Sequence, residues 1–230
     1  MQFYGFQKCT LLDFPGEVAA TLFVKDCNFR CPFCHNKELV IGTDKIFPLN
    51  TDDIFKYLEK RRNVLGGVCI TGGEPFLCDE LPEIINKIHE LGLKVKVDTN
   101  GSRPEMFAKI KVDCIAMDIK TSFEKYDLIK YNGNGDIVGL LKKSINYLLS
   151  SDLEYRFRTT VVPGIVEIDD IKKIVSVIKG AKKYILAQFR PHNTLISEFE
   201  KVMPYHSDVL LEMKTIVEDA GVPCEVREGY

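Results

Sequence analysis

Short apolar runs alternate along the chain with longer stretches in which apolar residues recur every three or four positions. The short runs predict buried strands, and the longer stretches predict amphipathic helices. The predicted strands are 18–24, 68–71, 93–98, 112–117, 153–161, 183–189 and a short one near 224–226. The predicted helices are 52–62, with Thr51 as N-cap, 80–91, 104–110, 136–149, 169–179 and 207–219.

Six successive strand–helix units without an antiparallel hairpin signal predict a parallel sheet with helices outside it. A closed eight-unit barrel usually needs about 250 residues. Six units in 230 residues therefore favour an α/β fold in the form of a partial, laterally open (β/α)6 TIM-like barrel, with a doubly wound open sheet as the alternative. No linker divides the chain, so we expect one domain over 1–230, with a core at about 17–192 and a C-terminal helix and strand in 193–230.

Charge and hydropathy argue against several functions. The 31 Lys and Arg residues against 33 Asp and Glu residues leave no basic excess for a nucleic-acid backbone. The longest mainly apolar run, residues 18–24, is far shorter than the roughly 18 to 20 residues that cross a bilayer. Asp13 and Pro15 interrupt any export signal at the N-terminus. We therefore expect a cytoplasmic protein that binds neither nucleic acid nor membrane.

The eight cysteines are unevenly distributed. Three of them, Cys27, Cys31 and Cys34, fall within eight residues directly after the first predicted strand. The other five are dispersed and are interpreted as small buried apolar residues; they are Cys9, Cys69, Cys78, Cys114 and Cys224. The close group is therefore the candidate metal site.

Three interpretations of the close cysteine group compete. A zinc site would take His35 as its fourth ligand, but the adjacent Cys34 and His35 would strain to reach one ion. Residues 31–35 also match the C-x-x-C-H haem attachment pattern, which requires an exported protein. Three thiolates could instead hold a [4Fe-4S] cluster and leave one iron open to an external chelating group. An open iron is a reactive site.

Polar and glycine-rich segments follow the predicted strands. In parallel α/β folds the carboxyl ends of the strands are where ligands bind, so these segments should meet at one face. They are Cys27 to Asn36, Gly72-Gly73-Glu74-Pro75, Asp98-Thr99-Asn100-Gly101, Met117-Asp118-Ile119-Lys120, Arg158 with Pro163-Gly164, and Gln188 to His192. Their convergence predicts a single active site.

C-x3-C-x2-C followed by Gly72-Gly73-Glu74-Pro75 resembles the radical S-adenosylmethionine (SAM) superfamily. Further segments resemble the motif series of the glycyl-radical-enzyme activases: Cys34-His35-Asn36, Asp98 to Gly101, Met117 to Lys120, Arg158 to Gly164, and Arg190-Pro191-His192. Asp13-Phe14-Pro15-Gly16 resembles their DGPG loop, with Phe14 in place of a glycine. Residues 6–40 look most like the activating proteins of anaerobic ribonucleoside-triphosphate reductases, and the similarity extends to about residue 192.

The resemblance implies two cofactors, a [4Fe-4S] cluster on Cys27, Cys31 and Cys34 and SAM bound to the open iron. Reductive cleavage of SAM would release a 5'-deoxyadenosyl radical, which would abstract a hydrogen atom from a glycine of the partner, an anaerobic ribonucleoside-triphosphate reductase. A flavodoxin or ferredoxin would donate the electron. Two alternatives stay open: a radical SAM enzyme acting on another glycyl radical enzyme or a small molecule, such as a 7-carboxy-7-deazaguanine synthase, and a non-catalytic metal-binding module.

The resemblance also implies roles for further residues, and each has a structural alternative. The Gly72, Gly73, Glu74 segment would meet the SAM amino group or be a plain turn. Asp98, Thr99 and Asn100 would contact ribose and methionine, or Asn100 would only form a turn. Arg158 would face the SAM carboxylate or pair with Asp118. His192 would pack on adenine or be solvated. Phe33 would pack on adenine or in the protein core.

Two residues are candidates for the substrate side of the site, Asp13 and Lys120. Lys120 stands two residues after Asp118, on the same face of a strand, and could simply pair with it. A monovalent cation shared by Asp98 and Asp118 is a further hypothesis, because such an ion would relieve the repulsion between two carboxylates.

Overall fold

A computed structural model describes residues 1–228, so residues 229 and 230 of the predicted C-terminal segment lie outside the described residues. The strands are β1 (Gly5–Thr10), β2 (Ala19–Val24), β3 (Gly67–Gly72), β4 (Lys94–Thr99), β5 (Cys114–Asp118), β6 (Glu154–Val161), β7 (Tyr184–Gln188) and β8 (Cys224–Arg227). The α-helices are α1 (Lys37–Ile41), α2 (Thr51–Arg61), α3 (Leu81–Glu90), α4 (Ile137–Leu149), α5 (Ile168–Val177) and α6 (Ser207–Asp219). Over the described range no helix is long and apolar enough to cross a membrane.

The strands are hydrogen-bonded in chain order from β1 to β8. Strands β2, β3 and β4 are parallel, and so are β6, β7 and β8. Because β1 and β8 are the end strands of this order, the sheet is not a closed barrel. The predicted α/β class with an open, mostly parallel sheet is confirmed.

The pairing of β1 with β2 is antiparallel, so the expectation of no hairpin was wrong. Strand β1 was not predicted because its central residues, Gln7, Lys8 and Cys9, are exposed. An exposed edge strand carries no alternation of apolar and polar positions that a sequence pattern can detect.

The chain divides into two compact units. The first contains residues 1–27, 38–99 and 105–115. Its strands β2 and β3 are almost continuously buried, as expected for parallel strands covered on both faces. Helix α3 buries Leu81, Ile85 and Ile88 along one stripe. This unit includes the start of the loop after β2, as far as Cys27, and the turn after β3.

The second unit contains residues 28–37, 100–104 and, within the described range, 116–228. Its core includes Phe157 of β6, Tyr184 of β7 and Leu141 of α4, all fully buried. The Tyr184 hydroxyl donates a hydrogen bond to Thr159 Oγ1 at 2.6 Å, which satisfies a polar group within this core. The single-domain interpretation of the chain stays a prediction.

Two local predictions were wrong. Residues 104–110 were predicted to be an α-helix, but only a single 3₁₀ turn forms, over Pro104–Met106. Buried Met106, Phe107 and Ile110 imitate helical spacing in a segment too short for a regular helix. The N-cap of α2 is Asn50 and not Thr51, because the Asn50 side chain accepts hydrogen bonds from the backbone N–H groups of residues 52 and 53.

The dispersed cysteines behave in different ways. Cys69 and Cys114 are buried, as predicted. Cys78 and Cys224 are only partly buried, and Cys9 is exposed on the polar edge strand β1, so the buried interpretation was wrong for these three.

The end of β3 lies very close to the end of β2. The N–H of Gly73 donates to Val24 O at 2.8 Å, and the N–H of Glu74 donates to Asp26 O at 2.8 Å. Gly72 has a φ of +113°, and a Cβ there would lie 2.6 Å from Val24 O. A Cβ on Gly73 would overlap Asp26 O. Both glycines are therefore required by backbone packing alone, which is the structural alternative considered for them.

This packing predicts that Gly73→Ala destabilises the protein in the absence of any ligand. We expect a loss of about 1–3 kcal/mol in the free energy of unfolding, because the new methyl group must displace backbone. Gly66→Ala is the matched control, since a Cβ on Gly66 would meet mainly the flexible end of the Glu17 side chain. Urea unfolding of the metal-free proteins measures the difference. Equal stability of the Gly73→Ala variant and wild type would contradict the packing argument.

Candidate cofactor site

The three-cysteine loop leaves β2 and leads into α1. Cys31 is buried, and Cys27 and Cys34 are half-buried. All three are free thiols. The N–H of Cys34 donates to Cys31 O at 3.0 Å, which closes a turn, and the Phe33 side chain inside that turn is buried. Within residues 1–228 no three His, Cys, Asp or Glu side chains are already grouped to hold a metal ion, so ligation by these thiols stays a prediction.

The second part of this loop is anchored to the segment that follows β7. The Pro32 carbonyl accepts a hydrogen bond from Ile196 N at 2.9 Å. His35 Nε2 donates to Arg190 O at 2.8 Å, and the His35 ring stacks on the ring of His192, with centroids 5.2 Å apart and planes 17° apart. His192 thus lies against the cysteine loop, with its side chain exposed. Sequence reasoning assigned no anchoring role to His35.

The bond from His35 also bears on the zinc interpretation. A zinc site in this loop would need His35 as its fourth ligand, and the bond from His35 Nε2 to Arg190 O would leave only Nδ1 for the ion. The three thiols supply the ligand type that usually holds iron–sulfur clusters.

A charged triad is formed by Asp118 at the end of β5, Lys120 just after it and Arg158 within β6. Arg158 Nε is 2.5 Å from Asp118 Oδ1, and Lys120 Nζ is 2.6 Å from Asp118 Oδ2, so each carboxylate oxygen meets a separate cation. Both pairings are the structural alternatives expected for Arg158 and Lys120. Burial alone would raise the pKa of Asp118, but the Arg158 guanidinium and the Lys120 ammonium outweigh it and hold that pKa well below its usual range.

The triad also acts on the cysteine loop. Burial raises the pKa of the Cys34 thiol, and the Asp118 carboxylate adds to that rise. A hydrogen bond from the Asn36 backbone, the Lys120 ammonium and the Arg30 guanidinium oppose it. Burial alone would lower the pKa of Lys120, but Asp118 and then Cys31 raise it above its ordinary value. Lys120 is therefore a fixed positive charge in the electrostatic surroundings of two predicted cluster ligands.

In the first unit, Glu74 lies beneath the turn after β3. Its side chain is 1% exposed, and its Oε1 accepts hydrogen bonds from the Thr99 hydroxyl at 2.7 Å and from Phe76 N at 3.0 Å. Glu74 thereby caps the 3₁₀ turn Pro75–Leu77 and ties the end of β3 to the end of β4. Its observed contacts hold the predicted SAM-binding segments in place.

Asp98 near the end of β4 is surrounded by side chains from β3 and β4. It forms an ion pair with Lys96, and the Thr71 hydroxyl donates to its Oδ2 at 3.4 Å. Cys69 Sγ lies 3.8 Å from Asp98 Oδ1. Sequence reasoning did not single out Lys96, although its position two residues before Asp98 places both side chains on one face of the strand.

Asp13, the predicted substrate-side residue, also belongs to the first unit. Its Oδ2 accepts a hydrogen bond from the buried Thr21 hydroxyl at 2.6 Å. Thr21 is opposite Cys69 in the β2–β3 register, so Asp13 is attached to the same sheet face that carries Cys69.

Asn100 belongs to the second unit, where it contacts the cysteine loop. Its Nδ2 donates to Asn28 Oδ1 at 2.9 Å, and Asn28 Nδ2 donates to Ser102 Oγ at 2.7 Å. Asn100 Oδ1 also accepts from Ser102 N at 2.9 Å, which is the turn interaction expected as its structural alternative. Asn100 therefore shapes its own turn and supports the loop at the same time.

The open, mostly parallel sheet is shared with solved radical SAM structures. A radical SAM methyltransferase from Sphaerobacter thermophilus superposes with a TM-score of 0.70 at 15% identity, covering 94% of this chain and 67% of that one. A domain of the pyruvate-formate lyase-activating enzyme from Bacteroides vulgatus gives a TM-score of 0.56 at 20% identity, covering 70% and 98%. At these identities the likeness shows the fold alone.

The sequence profile of the radical SAM superfamily matches residues 21–178, so the chain belongs to that superfamily. Membership implies a [4Fe-4S] cluster and SAM as cofactors.

Three relatives illustrate its place there. A candidate glycyl-radical enzyme activating enzyme from Methanocaldococcus jannaschii is 30% identical over 213 residues, covering 89% of this chain and 87% of the relative. The pyruvate formate-lyase-activating enzyme of Listeria monocytogenes is 26% identical over 199 residues, covering 80% and 78%. The 7-carboxy-7-deazaguanine synthase of Aquifex aeolicus is 29% identical over 123 residues, covering 50% and 53%.

The charged triad predicts an acid-dependent loss of stability. The folded-state pKa of Asp118 is below its unfolded value, so the ionised carboxylate stabilises the fold above about pH 4, and this contribution is lost as the pH falls below that value. At pH 7, Asp118→Asn should lower the free energy of unfolding of the metal-free protein by about 1–3 kcal/mol, because it leaves two cations poorly paired.

The difference between wild type and Asp118→Asn should shrink below about pH 4 in urea unfolding series. The control is Asp44→Asn, which changes an exposed carboxylate and should leave stability nearly unchanged. A constant difference between wild type and Asp118→Asn from pH 7 to pH 3 would contradict the assignment.

Proposed function

We propose that this protein is an activase that uses reductive cleavage of SAM to generate a glycyl radical in a partner enzyme. The observation that carries the proposal is the 30% identity to a candidate glycyl-radical enzyme activating enzyme over 89% of the chain, including the C-x3-C-x2-C segment. The Listeria pyruvate formate-lyase-activating enzyme, alike over 80% of the chain, supports the same class.

Cys27, Cys31 and Cys34 would hold the [4Fe-4S] cluster, which supplies the electron for SAM cleavage when bound. The fixed ammonium of Lys120 would favour the thiolate forms of Cys31 and Cys34 and thereby help to retain the cluster. The ion pair with Asp118 fixes the position of the Lys120 ammonium.

The turn after β3 and the end of β4 would bind SAM. Backbone at Gly72 and Gly73 would meet the amino group, with Glu74 holding the turn from beneath. Asp98 and Thr99 would contact the ribose and methionine parts, and Asn100 would do so while it supports the cysteine loop. Among the remaining candidates, Arg158 would attract the SAM carboxylate, and Phe33 and His192 would border the adenine.

For the partner we propose an anaerobic ribonucleoside-triphosphate reductase, with a flavodoxin or ferredoxin as electron donor. The support is the resemblance of residues 6–40 to activating proteins of that reductase class. Asp13, in the DGPG-like segment, and Lys120 would face the entering glycine loop.

A second candidate function is radical SAM chemistry on a small molecule. The likeness to a 7-carboxy-7-deazaguanine synthase over half of the chain favours it. In that case the cluster and SAM sites would be unchanged, and no protein partner would be needed for turnover.

The ligand assignment predicts that Cys31→Ala abolishes assembly of the iron–sulfur cluster. Cys224→Ala is the matched control, because Cys224 lies on β8, far along the chain from the three-cysteine loop. After anaerobic reconstitution with iron and sulfide, the control should carry wild-type iron and the broad visible absorption of a cluster. Equal iron content in the two variants would overturn the assignment.

The partner proposal is tested by anaerobic turnover. The reconstituted protein is reduced with dithionite and given SAM, with and without an anaerobic ribonucleotide reductase, and 5'-deoxyadenosine is measured. We expect SAM cleavage together with a glycyl-radical EPR signal that is absent when the radical-bearing glycine of the reductase is replaced by alanine. Cleavage without any EPR signal, but with turnover of a purine precursor, would establish the small-molecule function instead.

A further inference from the structure

Lys96 is a buried lysine in the middle of β4, with only 3% of its side chain exposed. A buried ammonium is costly unless an anion compensates it. Lys96 meets that requirement on its own strand, where its Nζ forms the ion pair with Asp98. Its Nζ also lies 3.6 Å from Cys69 Sγ, the residue opposite Lys96 in the β3–β4 register.

Asp98 is a carboxylate paired with Lys96 within β4. Burial, followed by the charge of Asp98, raises the pKa of the Cys69 thiol, so Cys69 is neutral and cannot balance the ammonium. The Asp13 carboxylate is attached to the same sheet face through Thr21. The buried side chain of Lys96 therefore supplies a positive charge to Asp98 from within the sheet.

The pairing of Lys96 with Asp98 argues against the hypothesis of a monovalent cation shared by Asp98 and Asp118. An alkali ion at Asp98 would have to bind beside an ammonium that already occupies Oδ1, while Oδ2 accepts from Thr71. Asp118 likewise has both oxygens on protein cations, those of Arg158 and Lys120. The charge that a bound ion would supply is present in the chain itself.

We infer that Lys96 is a positioning residue for SAM binding, whose ammonium orients Asp98 and replaces a monovalent cation at that carboxylate. The inference rests on the proposed function in one respect, the contact between Asp98 and SAM. It adds a residue from the sheet interior and predicts that SAM binding is independent of K⁺ and Na⁺.

The first experiment measures SAM affinity of the anaerobically reconstituted wild type in potassium chloride, sodium chloride and tetramethylammonium chloride at equal ionic strength. Tetramethylammonium is too large to enter a cation site at Asp98. We expect the three affinities to agree within about twofold. A loss of about tenfold or more in tetramethylammonium chloride would show that an inorganic cation is required and would overturn the inference.

The second experiment removes the ammonium. Lys96→Ala should bind SAM at least about tenfold more weakly, and methylammonium chloride should restore much of that loss by placing a cation in the vacated space. Lys94→Ala is the matched control, because Lys94 is on the same strand but exposed, where it pairs with Glu17. Wild-type affinity of Lys96→Ala, or a loss that methylammonium does not relieve in a folded protein, would overturn the inference.

Further measurements separate the positioning role of Lys96 from an effect on folding and from the activase proposal. Methylammonium should raise the thermal midpoint of metal-free Lys96→Ala but not that of wild type, a readout that needs neither cluster nor SAM. Lys96→Gln provides a second variant if the alanine variant does not fold, and it should also lose affinity because it lacks the charge. If wild type binds and cleaves SAM but forms no glycyl radical, the activase proposal fails while the Lys96 inference stands on its affinities.

Discussion

The structure depends on the compensation of charged side chains that are withdrawn from water in and next to the buried strands. A carboxylate in such a position must be compensated within a few ångströms. The protein meets this need separately in each unit: Lys96 compensates Asp98 in the first, and Arg158 with Lys120 compensates Asp118 in the second. The resulting geometry fixes the polar residues before a cofactor binds.

Close backbone approach complements this electrostatic arrangement. Gly72 and Gly73 let the end of β3 reach the end of β2, from which the chain continues toward the first cysteine. Buried Glu74 then joins this turn to Thr99 at the end of β4. The residues for which the resemblance implies SAM contacts are thus also the residues that join neighbouring strands.

Much of the fold was predictable from the sequence, because buried parallel strands such as Ala19–Val24 leave continuous apolar runs and helices such as Ser207–Asp219 leave a clear stripe. Strand β1 was not predictable in this way, since its central residues are exposed and the strand forms through hydrogen bonds to β2. Residues 104–110 were predicted to be a helix because the buried residues of this compact loop happen to have helical spacing, whereas only the turn Pro104–Met106 forms.

The candidate site shows the same division. The family resemblance singled out Asp98, Asp118 and Arg158 as candidates, and strand alternation was sufficient to suggest the pairing of Lys120 with Asp118. The same alternation could have suggested Lys96, but a lysine in a strand is normally exposed, as Lys94 is. The burial of Lys96 is seen only in the structure. The stacking of His192 on His35 depends on tertiary structure and has no sequence signal.

The bonds that hold residues 31–36 to the segment after β7 have a consequence for maturation. In small zinc modules, metal binding and folding are one event, and much of the binding free energy is consumed in ordering the chain. Here Pro32 and His35 are held by hydrogen bonds to Ile196 and Arg190. Contacts of this kind reduce the part of the ordering cost that cluster binding has to meet. More of the binding free energy then remains as affinity for the cluster than in a zinc module of that kind.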